Sequence, residues 1–341
     1  MKKVVIMVMA IGVITVLALF GNAVAADVKL PQQIVWNHTQ PPGLVTEIYQ
    51  SLWATMEKAT NKQITIKSVQ RLYKAEEALE ACIAGGLKIV NGTPYELYSL
   101  DPGFDLFDLP MLFDDFDHLI RFTNSEAWKG FVADFEKKSG LRLIPGTEKF
   151  MMFKMVIYSS YPVTKIDDIK GHAMRVLTGP SHALTAKALE TNGVVVSPTE
   201  LPVAIQTGMF DTMVASLSVS WVKSMGVLDK MKYFVMPPMI TSNVMIFYNS
   251  KWFHSLPDNI QKALDDATRA WQPEATAKYR DFVDVESYKY VKTQATENVF
   301  SKNEVLKWRG KVKSVHDDYL KHVPNWGKKL LDAVEATRKQ L

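Results

Sequence analysis

The stretch QIVWNHTQPPGLVTEIYQSLWATMEKATNKQITIKSVQRLYKAEEALEACIAGGLKIV, residues 33–90, decides the fold class. Gln33 to Trp36 reads as a short strand, and Pro41-Pro42-Gly43 stops it. Val45, Ile48, Leu52 and Met56 then recur at helical spacing. Ile64 and Ile66 alternate with Thr65 and Lys67 as strand residues do; Ala75 to Ala84 reads as a helix stopped by Gly85-Gly86, and Leu87 to Val90 as a buried strand. The order β, α, β, α, β implies parallel pairing with helices over the faces, so that a ligand crevice opens beyond the carboxyl ends of the strands.

The alternation resumes past residue 140. Strands are expected at Leu141–Ile144, Met152–Tyr158, Ala173–Leu177, Val194–Val196 and Met213–Ala215. Helices are expected at Ser181–Thr191 and Glu200–Thr207, with Gly208 placed to cap the second. A second sheet follows from this. From Leu256 onward the periodicity becomes that of long charged helices, broken near Pro273, around Asn298–Ser301 and at Pro324; Ser301 with Glu304 forms a capping-box signature.

At the other end of the chain, Lys2 and Lys3 precede an apolar run from Val4 to Phe20, and Ala23-Val24-Ala25 supplies the small residues a signal peptidase reads. Residues 1–25 are therefore expected to be a signal peptide cleaved near Ala25, the alternative being an uncleaved N-terminal anchor, and both readings export the chain. The 341 residues, 47% hydrophobic and 22% charged, suit two globular domains and exclude disordered and multi-span membrane classes. A formal charge of +4 without a basic block gives no nucleic-acid footprint. With Cys82 alone, no intramolecular disulfide is possible, and a buried, inert thiol is expected.

The sequence holds no G-x-S-x-G elbow, glycine-rich dinucleotide turn, P-loop or H-E-x-x-H. None of the seven histidines is paired at i, i+4, and all are read as solvated or capping; no metal, cofactor or catalytic set is expected. Two places stand out for binding. Trp36-Asn37-His38-Thr39-Gln40 lies between the first strand and the first helix, either as a surface loop or as a ligand-facing one. Arg175 sits between Met174 and Val176 on a strand bracketed by Gly171 and Gly179-Pro180, where its planar fork either solvates at an edge or grips a carboxylate.

Around that arginine, Asp168-Ile169-Lys170-Gly171-His172-Ala173-Met174-Arg175-Val176 resembles the D-L-K-G-x-K-x-R-V segment of TRAP-transporter substrate-binding proteins, the DctP-like family. Phe107-Asp108-Leu109-Pro110-Met111-Leu112-Phe113 resembles that family's F-D-L-P-F-L-F. Glu200 through Ile205-Gln206-Thr207-Gly208 to Asp211, and Leu256-Pro257 with Gln261-Lys262-Ala263-Leu264, resemble two further segments in order and spacing. The resemblance implies an α/β two-lobed periplasmic binding protein clamshell, each lobe a mixed, mostly parallel sheet flanked by helices, with long C-terminal helices. Lobe I is expected over 27–152 plus 241–280 and lobe II over 153–240 plus 281–341. It further implies a binder of a small organic anion that delivers its ligand to TRAP membrane permease subunits, with Arg175 as the carboxylate clamp and no catalysis. A sensor partner, or an enzyme on the same scaffold, is the alternative.

Departures from the family pattern bear on the ligand. Asp211 is followed by Thr212-Met213-Val214-Ala215-Ser216, with Ala215 where the family has asparagine. Lys154 either stands in for a second family arginine or marks its loss. Met213 and Ala215 in place of polar groups favour an apolar or aromatic monocarboxylate. Trp36 and Trp221 would wall it, unless they pack the core, and Asn37, His38, Asn91 and Asn243 are the remaining polar candidates.

Overall fold

The computed structural model describes residues 29–38 and 43–338. The signal-peptide reading, with Thr39 and Gln40, lies outside the described residues. Eleven strands among the described residues form two mixed sheets. The first has the order β2-β1-β3-β10-β4, from β1 (Gln32–His38), β2 (Ile64–Gln70), β3 (Ile89–Gly92), β4 (Leu141–Leu143) and β10 (Met245–Asn249). β1 runs parallel to β2 and β3, while β10 runs antiparallel to β3 and β4. The helices Leu44–Ala59 and Ala75–Ile83 make the parallel crossovers that the opening alternation requires.

The second sheet has the order β11-β9-β5-β8-β6-β7, from β5 (Met152–Ser159), β6 (Ala173–Val176), β7 (Asn192–Val195), β8 (Thr212–Ser216), β9 (Tyr233–Asn243) and β11 (Thr296–Val299). β5 is antiparallel to both β8 and β9, so this sheet is less uniformly parallel than its sequence alternation suggests. One face carries Met155, Ile157, Met174, Val176 and Val214 into the main core; the other carries Val156, Tyr158, Met213 and Ala215 into a second cluster. That split is the period of two expected of a strand covered on both faces. Gly208 ends the helix Leu201–Thr207 at φ 67°, a conformation that favours glycine.

The C-terminal helices tie the two sheets together. The helix Lys302–His322, capped by Ser301 Oγ accepting from Glu304 N at 3.3 Å, packs on the helix Pro180–Ala188 of the second sheet. It also reaches the first sheet's connection, where Tyr319 Oη donates to Gly103 O at 3.1 Å. After the stop at Pro324, the helix Gly327–Thr337, expected with lobe II, packs instead on the first sheet's helices. His118 Nε2 lies 2.8 Å from Val334 O, and Trp326 Nε1 donates to Asp134 at 3.0 Å.

The break expected near Pro273 does not occur there, for the helix Asp258–Asp281 runs through it and gives way to a π-helical turn at Phe282–Ser287. A proline costs one hydrogen bond and crowds a carbonyl. Here, packing on both sides of it compensates: Trp271 Nε1 donates to Ser51 Oγ at 2.9 Å, and Tyr279 and Trp271 both pack edge-on against Phe150.

Candidate functional site

Arg175 is the next-to-last residue of β6, in register with Met213 on β8 and Val194 on β7, so the three side chains share one sheet face. That face is apolar, and it leaves the arginine 1% exposed. Nε donates to Val196 O at 3.1 Å, but Nη2 is buried with no hydrogen-bond partner among the described residues. Burial lowers the guanidinium to about 10, opposed only by the field of the Tyr95 phenol. A cation kept dry beside Met and Val, with one donor unused, is costly unless an anion joins it.

Tyr95 was not singled out from the sequence. It lies on the one-turn helix Pro94–Leu97 directly after β3 and donates to Glu96 Oε1 at 3.0 Å. Glu96 Oε2 in turn accepts from Thr93 N at 2.8 Å, and burial raises the Glu96 carboxyl. The signal was present as Thr93-Pro94-x-Glu96, a helix start at the carboxyl end of a strand, where ligand-facing residues are expected.

On the first sheet, Trp36, His38 and Asn91 come together. Trp36 Nε1 donates to Asn91 Oδ1 at 3.0 Å, and the Trp36 and His38 rings stack at 4.3 Å. Tyr49 and Trp53 close the back of this aromatic group, 4.5 and 5.2 Å from Trp36. Asn37 is turned the other way and pins the loop before the helix Ala75–Ile83: Tyr73 N donates to its Oδ1 at 3.0 Å, and its Nδ2 donates to Tyr73 O at 3.3 Å. Substituting Asn37→Ala should cost about 1–3 kcal/mol, read as a lower urea midpoint, because both Tyr73 groups lose a buried partner.

The remaining candidates are placed apart from that group. Lys154 Nζ pairs with Asp284 at 2.5 Å in the π-helical turn and lies 5.0 Å from the Phe116 ring, so its charge is already used. Met213 and Ala215 are buried in the second cluster on the Arg175 face, and Trp221 packs half-buried against it. Asn243 Nδ2 donates to Glu148 O at 2.7 Å, while its buried Oδ1 has no partner among the described residues. Among the described residues no three His, Cys, Asp or Glu side chains are grouped to hold a metal. Cys82 is buried, and burial pushes its thiol up to about 12, an inert setting. His118 and His182 are buried rather than solvated, a departure from the sequence expectation.

The family model for bacterial extracellular solute-binding protein, family 7 (DctP), matches residues 35–322. The chain belongs to the DctP family. The family's members are extracellular solute-binding proteins. A solute-binding protein of Sulfitobacter sp. is 26% identical over 187 residues, 51% of each chain. The chain thus spans about half the length of that curated relative. The ectoine-binding periplasmic protein TeaA of Halomonas elongata is 21% identical over 312 residues, 89% of each.

The two-sheet fold is that of the family's solved structures. The TRAP periplasmic solute-binding protein of Desulfovibrio desulfuricans, solved with sn-glycerol-3-phosphate, has a TM-score of 0.81 at 21% identity, covering 91% of this chain and 98% of that one. A Bordetella pertussis extracytoplasmic solute receptor binding pyroglutamic acid, DctP7, has a TM-score of 0.77 at 20% identity, covering 89% and 99%. Among the described residues no helix is long and apolar enough to cross a membrane.

Proposed function

We propose that this DctP-family chain captures a small organic acid between two lobes, 27–152 plus 241–280 and 153–240 plus 281–341 apart from the last helix, and hands it to the membrane permease of a TRAP transporter. The acid is an apolar or aromatic monocarboxylate, and the protein works in the periplasm once the signal peptide is removed near Ala25. One observation carries this reading: Arg175 is a 1% exposed cation whose Nη2 has no hydrogen-bond partner among the described residues. A ligand carboxylate supplies the missing charge and acceptor together. A charge-assisted bond of this kind is worth about 1.5–3 kcal/mol net, and its fork fixes the ligand's orientation.

The permease and periplasmic parts of the proposal are supported by family membership and by the sequence before Ala25. The apolar preference is supported by Met213 in register with Arg175 and by Ala215 two residues on. Ligand binding to the folded form raises the melting temperature with ligand concentration. A thermal-shift panel of monocarboxylates, sugar acids, neutral sugars and peptides should therefore give its largest shifts with carboxylates. A panel in which only a neutral sugar or a peptide moves the transition overturns the assignment.

A further inference from the structure

Away from Arg175, polar side chains from the two sheet units meet in a buried cluster that ligand capture leaves unexplained. Asp105 and Asp108 lie on the 3-10 segment Pro102–Asp108, in the connection between β3 and β4, and Asp108 belongs to the motif Phe107-Asp108-Leu109-Pro110. Ser181 and His182 open the helix Pro180–Ala188, which follows β6 and its Arg175. The four residues are 5%, 3%, 1% and 4% exposed, respectively. Ser181 Oγ donates to Asp105 Oδ1 at 2.7 Å. His182 Nε2 faces Asp108 Oδ2 at 3.6 Å, and neither atom has a hydrogen-bond partner among the described residues. Asp108 Oδ1 accepts a long bond from Ser242 Oγ at 3.4 Å.

We propose that Asp105 is a positioning residue for the Arg175 site, a brace from lobe I that grips the first turn of the helix behind Arg175 and holds the lobes closed best when its carboxyl is protonated. The proposal rests on the ligand reading above, since a brace matters only if closure is part of binding. The geometry gives the direction. The segment carrying Arg175 runs from β6 through Gly179-Pro180 into Ser181 without another element between, so a hold on Ser181 fixes where the arginine's strand ends.

The groups around Asp105 make a second negative charge unwelcome. Asp108 is on its own segment and Asp101 caps that segment; from the helix Pro180–Ala188 comes His182; Tyr319 acts on it from the helix Lys302–His322; and Tyr98, Asp318 and His322 line the same small cavity. Burial, outweighing the Ser181 bond, raises the Asp105 carboxyl to about 6. A carboxyl that is solvated in an open arrangement returns to its ordinary value near 4. Closing therefore takes up a proton between those values, and affinity falls as pH rises through about 6.

Calorimetric titration of the full mature chain with phenylacetate and with pyroglutamate at pH 5, 6 and 7 tests this. Both acids are ionised throughout, and the dissociation constant should rise about tenfold from pH 5 to pH 7. Asp105→Asn, which keeps an acceptor for Ser181 and cannot ionise, should bind at pH 7 at least as tightly as the unmodified chain does at pH 5, with no slope. Ser181→Ala should bind severalfold more weakly at every pH, keep the slope and dissociate faster. Binding that does not vary with pH, a slope unchanged in Asp105→Asn, or unaltered affinity in Ser181→Ala overturns the brace alone. Failure of both acids to bind the unmodified chain at any pH overturns the ligand reading and the brace with it.

Discussion

Arg175→Met should abolish carboxylate binding and, in the same protein, raise the melting temperature of the ligand-free form by a few degrees. Arg175 occupies an apolar face with one guanidinium nitrogen that has no partner among the described residues, and a methionine of similar length would fill that space without a charge to desolvate. Replacing buried charge by apolar side chains stabilises by about 1–4 kcal/mol where the packing is kept. Removing the charge and the fork at the same time should weaken an organic acid by roughly a hundredfold or more, since two charge-assisted bonds are lost. Arg175→Lys separates the two effects. It keeps a buried cation, gains no stability and still binds about tenfold or more weakly, because a single ammonium cannot reproduce the fork. Differential scanning calorimetry with ligand titration reads both quantities, and a ligand-free Met variant less stable than the parent would make Arg175 a structural residue.

Arg175 should also set the alkaline limit of binding. In the ligand-free chain burial holds the guanidinium at about 10, and an anion beside it draws that value back up. The proton is thus held more tightly in the complex, so affinity falls as pH rises past about 10. Below about pH 9 this group contributes no slope, so the slope assigned to Asp105 between pH 5 and 7 stands alone.

What could be read from the sequence followed the hydrophobic period and the turn residues. Val45, Ile48, Leu52 and Met56 are the buried stripe of the helix Leu44–Ala59, and Gly208 and Ser301 cap where their chemistry predicts. β9 escaped because Pro237 and Pro238 argue against a strand. In the structure those prolines lie within an irregularity of the β5–β9 ladder, where Val235 to Ile240 opposes only Ile157 to Met155, so no regular ladder bond is asked of them. At the candidate site, the family motif singled out Arg175, while its apolar neighbours alone left open whether it solvates at an edge or grips a carboxylate. Tyr95 and the Asp105–Ser181 contact were not, because each depends on which loop of one sheet meets which helix of the other, and no local period encodes that.

An apolar or aromatic monocarboxylate should bind tighter than a polyhydroxylated acid of similar size, by roughly a hundredfold. The argument starts from the face on which Arg175 lies. Met213 is its register partner, Val194 is its partner on the other side, and Ala215, two residues on from Met213, stands where the family resemblance implies an asparagine. Three polar groups of the sequence-predicted set are engaged elsewhere: Asn37 with Tyr73, Asn91 with Trp36, and Lys154 with Asp284. A hydroxyl buried without a partner costs about 1–3 kcal/mol, so two of them account for the expected discrimination. Ala215→Asn restores an amide on the Arg175 face and should narrow the gap by strengthening the hydroxy acid alone. Competitive calorimetry of phenylacetate against galactonate, on the parent and on Ala215→Asn, reads the difference directly. Tighter binding of galactonate by the parent would mean that other polar groups line the ligand, with Asn243, whose Oδ1 has no partner among the described residues, the first to examine by Asn243→Ala.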